Sequence, residues 1–196
     1  MDKQTYDYYL NILTERLSEH RLHHSLEVAK SAVYLAEKYG GDSEKMYTAG
    51  LLHDVLKEAE KEEIFSLADA YGVEMTQLEK SAPKLWHAQI GAEFLKNELK
   101  IDDSEIITAV RYHTTGRANM TLSEKVLFIA DFISADRNYN GVESMRERAE
   151  ESLEKAMFEG LAFTINELIE KGRAVHPDTF DAYNDIVINY KEKGLI

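Results

Sequence analysis

The chain has 196 residues, of which 44% are apolar and 30% charged, the make-up of an ordinary globular protein long enough to bury a substantial core. Cysteine is absent, which excludes disulfides and thiolate ligands, so a bound metal must be held by imidazole and carboxylate. The net charge of −13 argues against duplex DNA or RNA as a partner, because phosphate neutralisation needs a basic face; a small anion in a locally cationic pocket remains compatible.

Helical periodicity runs through almost the whole chain, and two prolines leave long helices uninterrupted. The first predicted helix covers 4–19, with Tyr6, Tyr9, Leu10, Leu13 and Leu17 on its apolar side. The second covers 22–39 and is stopped by Gly40-Gly41. Asp42 or Ser43 starts a third, which runs to 58. A short helix over 61–71 ends at Gly72, and 73–83 reads as irregular. Pro83 opens a helix over 84–98. Asp102 or Asp103 caps the next, which runs to 113 and is broken by Thr114-Thr115-Gly116. Thr121-Leu122-Ser123-Glu124 is a capping box for a helix to 135. The polar loop 136–141 follows, then helix over 142–171 in one or two pieces, ended by Gly172. His176-Pro177-Asp178 begins a last helix to Lys193. No strand, repeat or linker is predicted, so the expected fold is all-α, a single helical bundle over 1–196.

Six residues interrupt the apolar stripes of these helices. The stripes are His24, Val28, Ala32, Leu35; Ala49, Leu52, His53, Leu56; His87, Ile90, Gly91, Phe94; Ile106, Ala109, Val110, His113; and Leu127, Ala130, Asp131, Ser134. Spacings of three and four residues share one helix face, so each polar member points where the core should be. Asp54 adjoins His53. A buried polar group without a partner costs roughly 2–7 kcal/mol on transfer scales. One histidine alone is satisfied by a backbone carbonyl, but six such groups together call for a shared partner, and a metal centre is one. Adjacent His53 and Asp54 can both coordinate only near a helix kink or across two ions. A carboxylate bridges such ions naturally, and two-metal sites hold them roughly 3.5–4 Å apart to activate water against phosphorus. His20 and His23 lie on other helix faces and are expected in solvent.

The order His24, His53-Asp54, Asp131 resembles the HD-domain metal-dependent phosphohydrolases. More narrowly, the chain is similar to the YqeK-type symmetrical diadenosine tetraphosphatases. The matching segments are Arg21 to Leu26, Leu52 to Lys57, His87 to Ala92, His113-Thr114-Thr115-Gly116, Ile129-Ala130-Asp131 with Arg137, and Ala174-Val175-His176-Pro177. The resemblance implies a single HD-type domain with its core at about 20–135, C-terminal helices that complete a nucleotide pocket, bound iron and a homodimer. It also implies cleavage of diadenosine tetraphosphate into two molecules of ADP. By the same resemblance, His24, His53, Asp54 and Asp131 match iron ligands. His87 and His113 are second-metal ligands or phosphate contacts, and whether one ion or two is bound, or manganese or another divalent metal instead of iron, stays open. Asp54, Lys57, His87 and His113 are the implied catalytic set. Arg21, Thr114, Thr115, Arg137 and the run Ala174, Val175, His176, Pro177, Asp178 and Thr179 are implied nucleotide contacts, together with Asp54, Lys57, His87, His113 and Asp131.

Elementary electrostatics agrees with that implication. A tetraphosphate bridge would be repelled by the acidic body unless charge is locally inverted. Lys57 lies one turn beyond His53-Asp54, Arg21 nearly one turn before His24, and Arg137 in the loop after Asp131, where guanidinium suits bidentate phosphate contacts. Thr114, Thr115 and Gly116 offer hydroxyl and backbone donors, and the helix that begins at His176-Pro177 favours an anion at its N-terminus. No Cys nucleophile and no P-loop is present. The opening residues carry no basic stretch followed by an apolar run, and no apolar stretch approaches the roughly 20 residues of a membrane span, so the expected place is the cytoplasm, away from membranes. The competing readings are another HD-type hydrolase acting on a nucleoside monophosphate or guanosine alarmone, a nucleotide-sensing module without turnover, and a structural helical protein.

Overall fold

A computed structural model describes residues 2–191 and Gly194. Eleven helices and no strand occur among the described residues: α1 Lys3–Arg16, α2 Glu19–Tyr39, α3 Ser43–Leu52, α4 Lys61–Tyr71, α5 Gln77–Ser81, α6 Pro83–Asn97, α7 Ser104–Tyr112, α8 Leu122–Ile133, α9 Val142–Glu151, α10 Leu153–Glu170 and α11 Pro177–Lys191. The all-α expectation therefore holds, and none of the described helices is long and apolar enough to cross a membrane.

Local chemistry sets the boundaries. The Asp42 carboxylate accepts from the backbone N–H groups of Glu44 and Lys45 and starts α3. Thr121 and Glu124 form the expected reciprocal capping box at the start of α8. Ser152 splits the predicted 142–171 segment, because its hydroxyl accepts from Glu154 N and Lys155 N and so caps α10.

Five expectations are corrected. The first helix stops at Arg16 rather than 19, because Ser18 serves as N-cap of α2, which then starts at Glu19 rather than 22. The stretch 73–83 is not wholly irregular: Thr76 and Glu79 form a second capping box that nucleates α5. The helix expected to reach 135 ends at Ile133, with Ser134 at its C-cap. The third helix ends at Leu52, not 58. There the His53 Nδ1 takes the Gly50 carbonyl, 2.7 Å away, which a continuing helix would offer to the N–H of Asp54. Beyond it the chain proceeds in tight turns, with Val55 N on Leu52 O and Lys57 N on Asp54 O. The predicted end of the last helix at Lys193 lies outside the described residues.

At the centre, α2 lies along α3 and α8, while α7 touches both α3 and α8. Leu35, Leu51, Leu52, Leu127 and Ile129 fill the space between them. Gly50 permits the closest approach, since a Cβ there would stand 2.6 Å from Ala29 Cα and 2.9 Å from Ala29 N. α6 packs on α7 and carries α4 and α5; α9 and α10 pack on α8, and α11 on α10. Gly116, at φ +64°, turns the chain after α7 and abuts Ala182 of α11, which joins the end of α7 to the C-terminal helices.

Candidate metal centre

The six interrupting residues are delivered to one place from helix interiors, helix ends and a turn. His24 projects from the first half of α2, and His87 from α6. His53 and His113 are the C-cap residues of α3 and α7. Asp54 follows in the turn, and Asp131 comes from the last turn of α8. The ligand atoms form two groups: His24, His53 and Asp131 in one, and His53, Asp54 and His113 in the other, with all atoms of each group within 4.8 Å of one another. His53 belongs to both. His87 joins the second, with Nε2 3.1 Å from Asp54 Oδ1 and 3.1 Å from His113 Nε2.

The tautomers follow from the partners. His53 Nδ1 meets Gly50 O and His113 Nδ1 meets Val110 O, each at 2.7 Å. A carbonyl only accepts, so both rings carry their proton on Nδ1 and turn an Nε2 lone pair inward. The His53 ring is fully buried, and its Nε2 has no hydrogen-bond partner. An orphaned, buried imidazole lone pair beside carboxylates fits a cation. So does the donor set, since imidazole and carboxylate oxygen suit first-row divalent metals.

Burial pushes the His53 pKa down to about 4, against the pull of Asp54 and Asp131. Burial, and then the charge of Lys57, pushes His87 down to about 3. For Asp54 burial opposes ionisation, yet His53, His113 and His87 hold its carboxyl well below the ordinary carboxylate value. Asp131 is likewise held low, against burial, by His24 and Arg137. His53 and His87 therefore face the centre as neutral imidazoles, and Asp54 and Asp131 as ionised carboxylates, the forms that bind metal.

Three cations ring these groups. Lys57 Nζ lies 3.0 Å from His87 Nε2 and 3.3 Å from Asp54 Oδ1, a contact made through the turn rather than along a continuing helix. Arg21 Nη1 lies 3.6 Å from Asp54 Oδ2. Arg137 donates through Nη2 to Asp131 Oδ1 and through Nε to the Asp131 carbonyl at 2.8 Å. Thr114 Oγ1 is buried without a partner, whereas Thr115 donates to the Gly116 carbonyl. His20 and His23 are exposed, as their helix faces require.

The segment 174–179 is tied to α5. His176 Nε2 lies 3.6 Å from Glu79 of α5, and that carboxylate also pairs with Arg111, 3.7 Å away in the last turn of α7. Within the segment His176 Nδ1 accepts from Asp178 N; Thr179 is buried, Val175 and Asp178 are half-buried, and Ala174 and Pro177 are exposed. Sequence reasoning missed two residues. Glu79, in a stretch read as irregular, was signalled only by its capping box. Asp136 was passed over in a polar loop, yet its Oδ2 lies 2.8 Å from His24 Nδ1.

An all-helical bundle whose helix ends gather histidines around paired aspartates defines a class of metal-centred helical proteins. The chain belongs to the HD domain family, whose family model matches residues 21–136. It is 38% identical over 178 residues to a symmetrical bis(5'-nucleosyl)-tetraphosphatase of Bacillus subtilis (strain 168), covering 91% of this chain and 95% of that protein. It is 35% identical to a protein of the same name from Halalkalibacterium halodurans, covering 93% and 97%. A crystal structure of a predicted HD superfamily hydrolase involved in NAD metabolism, from Clostridium acetobutylicum, superposes with a TM-score of 0.91 at 37% identity, covering 93% of this chain and 97% of that one.

Proposed function

We propose that the chain is a metal-dependent hydrolase that cleaves diadenosine tetraphosphate between its two inner phosphates, releasing two molecules of ADP. The observation that carries this reading is the orphaned Nε2 of His53, buried between two ligand groups that converge from five helices. The names of the 38% and 35% identical relatives supply the substrate class.

His24, His53 and Asp131 would hold one ion, and His53 or Asp54 with His113 and His87 a second or a phosphate. When bound, a divalent cation supplies Lewis acidity that activates water near neutral pH and draws charge from phosphate oxygens. The same reading takes iron as the metal, with manganese as the substitute, a homodimer as the assembly and the cytoplasm as the location.

The protein's own groups do the rest. Lys57 and Arg21 flank Asp54, so each is positioned to neutralise phosphate oxygens that approach that carboxylate. Arg137 guards the Asp131 side. The unpaired Thr114 hydroxyl is a donor in search of an acceptor, which a phosphate would supply. His87, kept neutral beside Lys57, turns its Nε2 toward Asp54 and His113, where it would meet a phosphate or a second ion. The run 174–179 and helices α9–α11 would complete the nucleotide pocket, held through Glu79 and Gly116.

Chromatography of the products from diadenosine tetraphosphate, with metal-reconstituted protein and elemental analysis alongside, tests the reading. ADP as sole product is expected. Inorganic phosphate from mononucleotides with the dinucleotide untouched would replace it with another HD hydrolase, and stoichiometric binding without turnover would replace it with a sensing module.

A further inference from the structure

We propose that Asp136 is a positioning residue that fixes His24 as a metal ligand; the inference rests on the metal centre proposed above. His24, His53 and His113 each need an acceptor for an Nδ1 proton. His53 and His113 close helices, and the last carbonyls of a helix lack intrahelical partners. Each ring therefore uses the carbonyl three residues back, Gly50 O and Val110 O.

His24 has no such resource. It lies inside α2, where the carbonyls behind it are consumed by the helix ladder. Its ring is buried, so water does not serve either. The acceptor must come from elsewhere, and Asp136 provides it, Oδ2 standing 2.8 Å from Nδ1. That bond leaves Nε2 facing the ligand group with His53, 3.0 Å from Asp131 Oδ1 and 3.3 Å from Arg137 Nη2. A carboxylate behind the ring also makes the imidazole a stronger donor than a carbonyl does.

The loop that carries Asp136 is itself held. Arg146 of α9 donates to the carbonyls of Ile133 at 3.1 Å, Ser134 at 2.9 Å and Arg137 at 3.2 Å. Arg137 N closes the turn on Ser134 O at 3.0 Å. Asp136 is thus clamped on both sides and presented to His24 Nδ1, for which it is the acceptor.

The test is a calorimetric titration of Mn2+ into the metal-stripped full chain, for wild type, Asp136→Ala and Asp136→Asn, with the tautomer of His24 read by long-range 1H–15N correlation before metal is added. Wild type should show His24 protonated on Nδ1. Asp136→Ala should lose that fixed Nδ1 proton and weaken Mn2+ binding by about 10–100-fold. Asp136→Asn, nearly isosteric and sure to show whether the fold survives, should weaken it less because it keeps an acceptor but loses the charge. Unchanged Mn2+ affinity in either folded variant, with wild type binding normally, overturns the inference. A wild type that binds no Mn2+ or Fe2+ overturns the metal centre itself.

Discussion

His53 and Asp54 are neighbours in the chain whose side chains converge, His53 Nε2 lying 3.6 Å from Asp54 Oδ2. Consecutive residues of a continuing helix diverge and do not face each other. The convergence exists because α3 stops at Leu52, and it stops where the His53 ring takes the Gly50 carbonyl. One hydrogen bond therefore ends a helix, sets a tautomer and brings a carboxylate beside an imidazole.

Asp54 is the group most shared, within reach of His53, His87, His113, Lys57 and Arg21. Asp54→Ala should abolish metal binding at that group and lower turnover by more than the roughly 10–100-fold typical of outer partners. The far-UV circular dichroism should stay helical. Near-normal turnover with a normal metal content would remove Asp54 from the mechanism.

Lys57 contacts both His87 and Asp54, so its charge is directed at the reacting region. Lys57→Met should keep the metal and the fold but cost about 100-fold or more in kcat/KM, the scale of losing one preorganised electrostatic donor. Steady-state kinetics beside metal analysis separates this from ligand loss. A variant that fails to retain metal would show that Lys57 supports the site rather than the substrate.

Gly50→Ala tests the packing beneath the site. The added Cβ would meet Ala29 backbone atoms at 2.6 and 2.9 Å, and backbone cannot rotate away, so α2 and α3 must part. Overpacking of this kind costs about 1–3 kcal/mol, read as a lower Tm by thermal melts. Because His24 rides on α2 and His53 on α3, metal affinity should fall with it; an unchanged Tm would mean that the two helices yield freely.

Removal and return of metal gives a stability readout independent of catalysis. Chelator-stripped protein should melt lower, and a free metal concentration 100-fold above Kd should restore about 2.7 kcal/mol. His24→Ala and Asp131→Ala should blunt that rise, whereas His20→Ala, on an exposed face, should not. Identical rises in all three variants would place the ion elsewhere.

What the sequence determined was local. Three- and four-residue spacing, the Asp42 and Thr121 caps and the turn at Gly116 specify where helices run, because each depends on neighbours within one or two turns. The misfit of His24, His53, Asp54, His87, His113 and Asp131 on apolar faces was equally legible, since burial without a partner is costly wherever it occurs. The tertiary structure decided which of them meet. It divided the six into two groups through His53, ended α3 at Leu52, six residues short of the expected 58, by giving Gly50's carbonyl to a side chain, and brought Asp136 to His24 across most of the chain. Those choices rest on contacts between residues far apart in the sequence, where periodicity carries no information and only the packing of α2, α3, α7 and α8 fixes the distance.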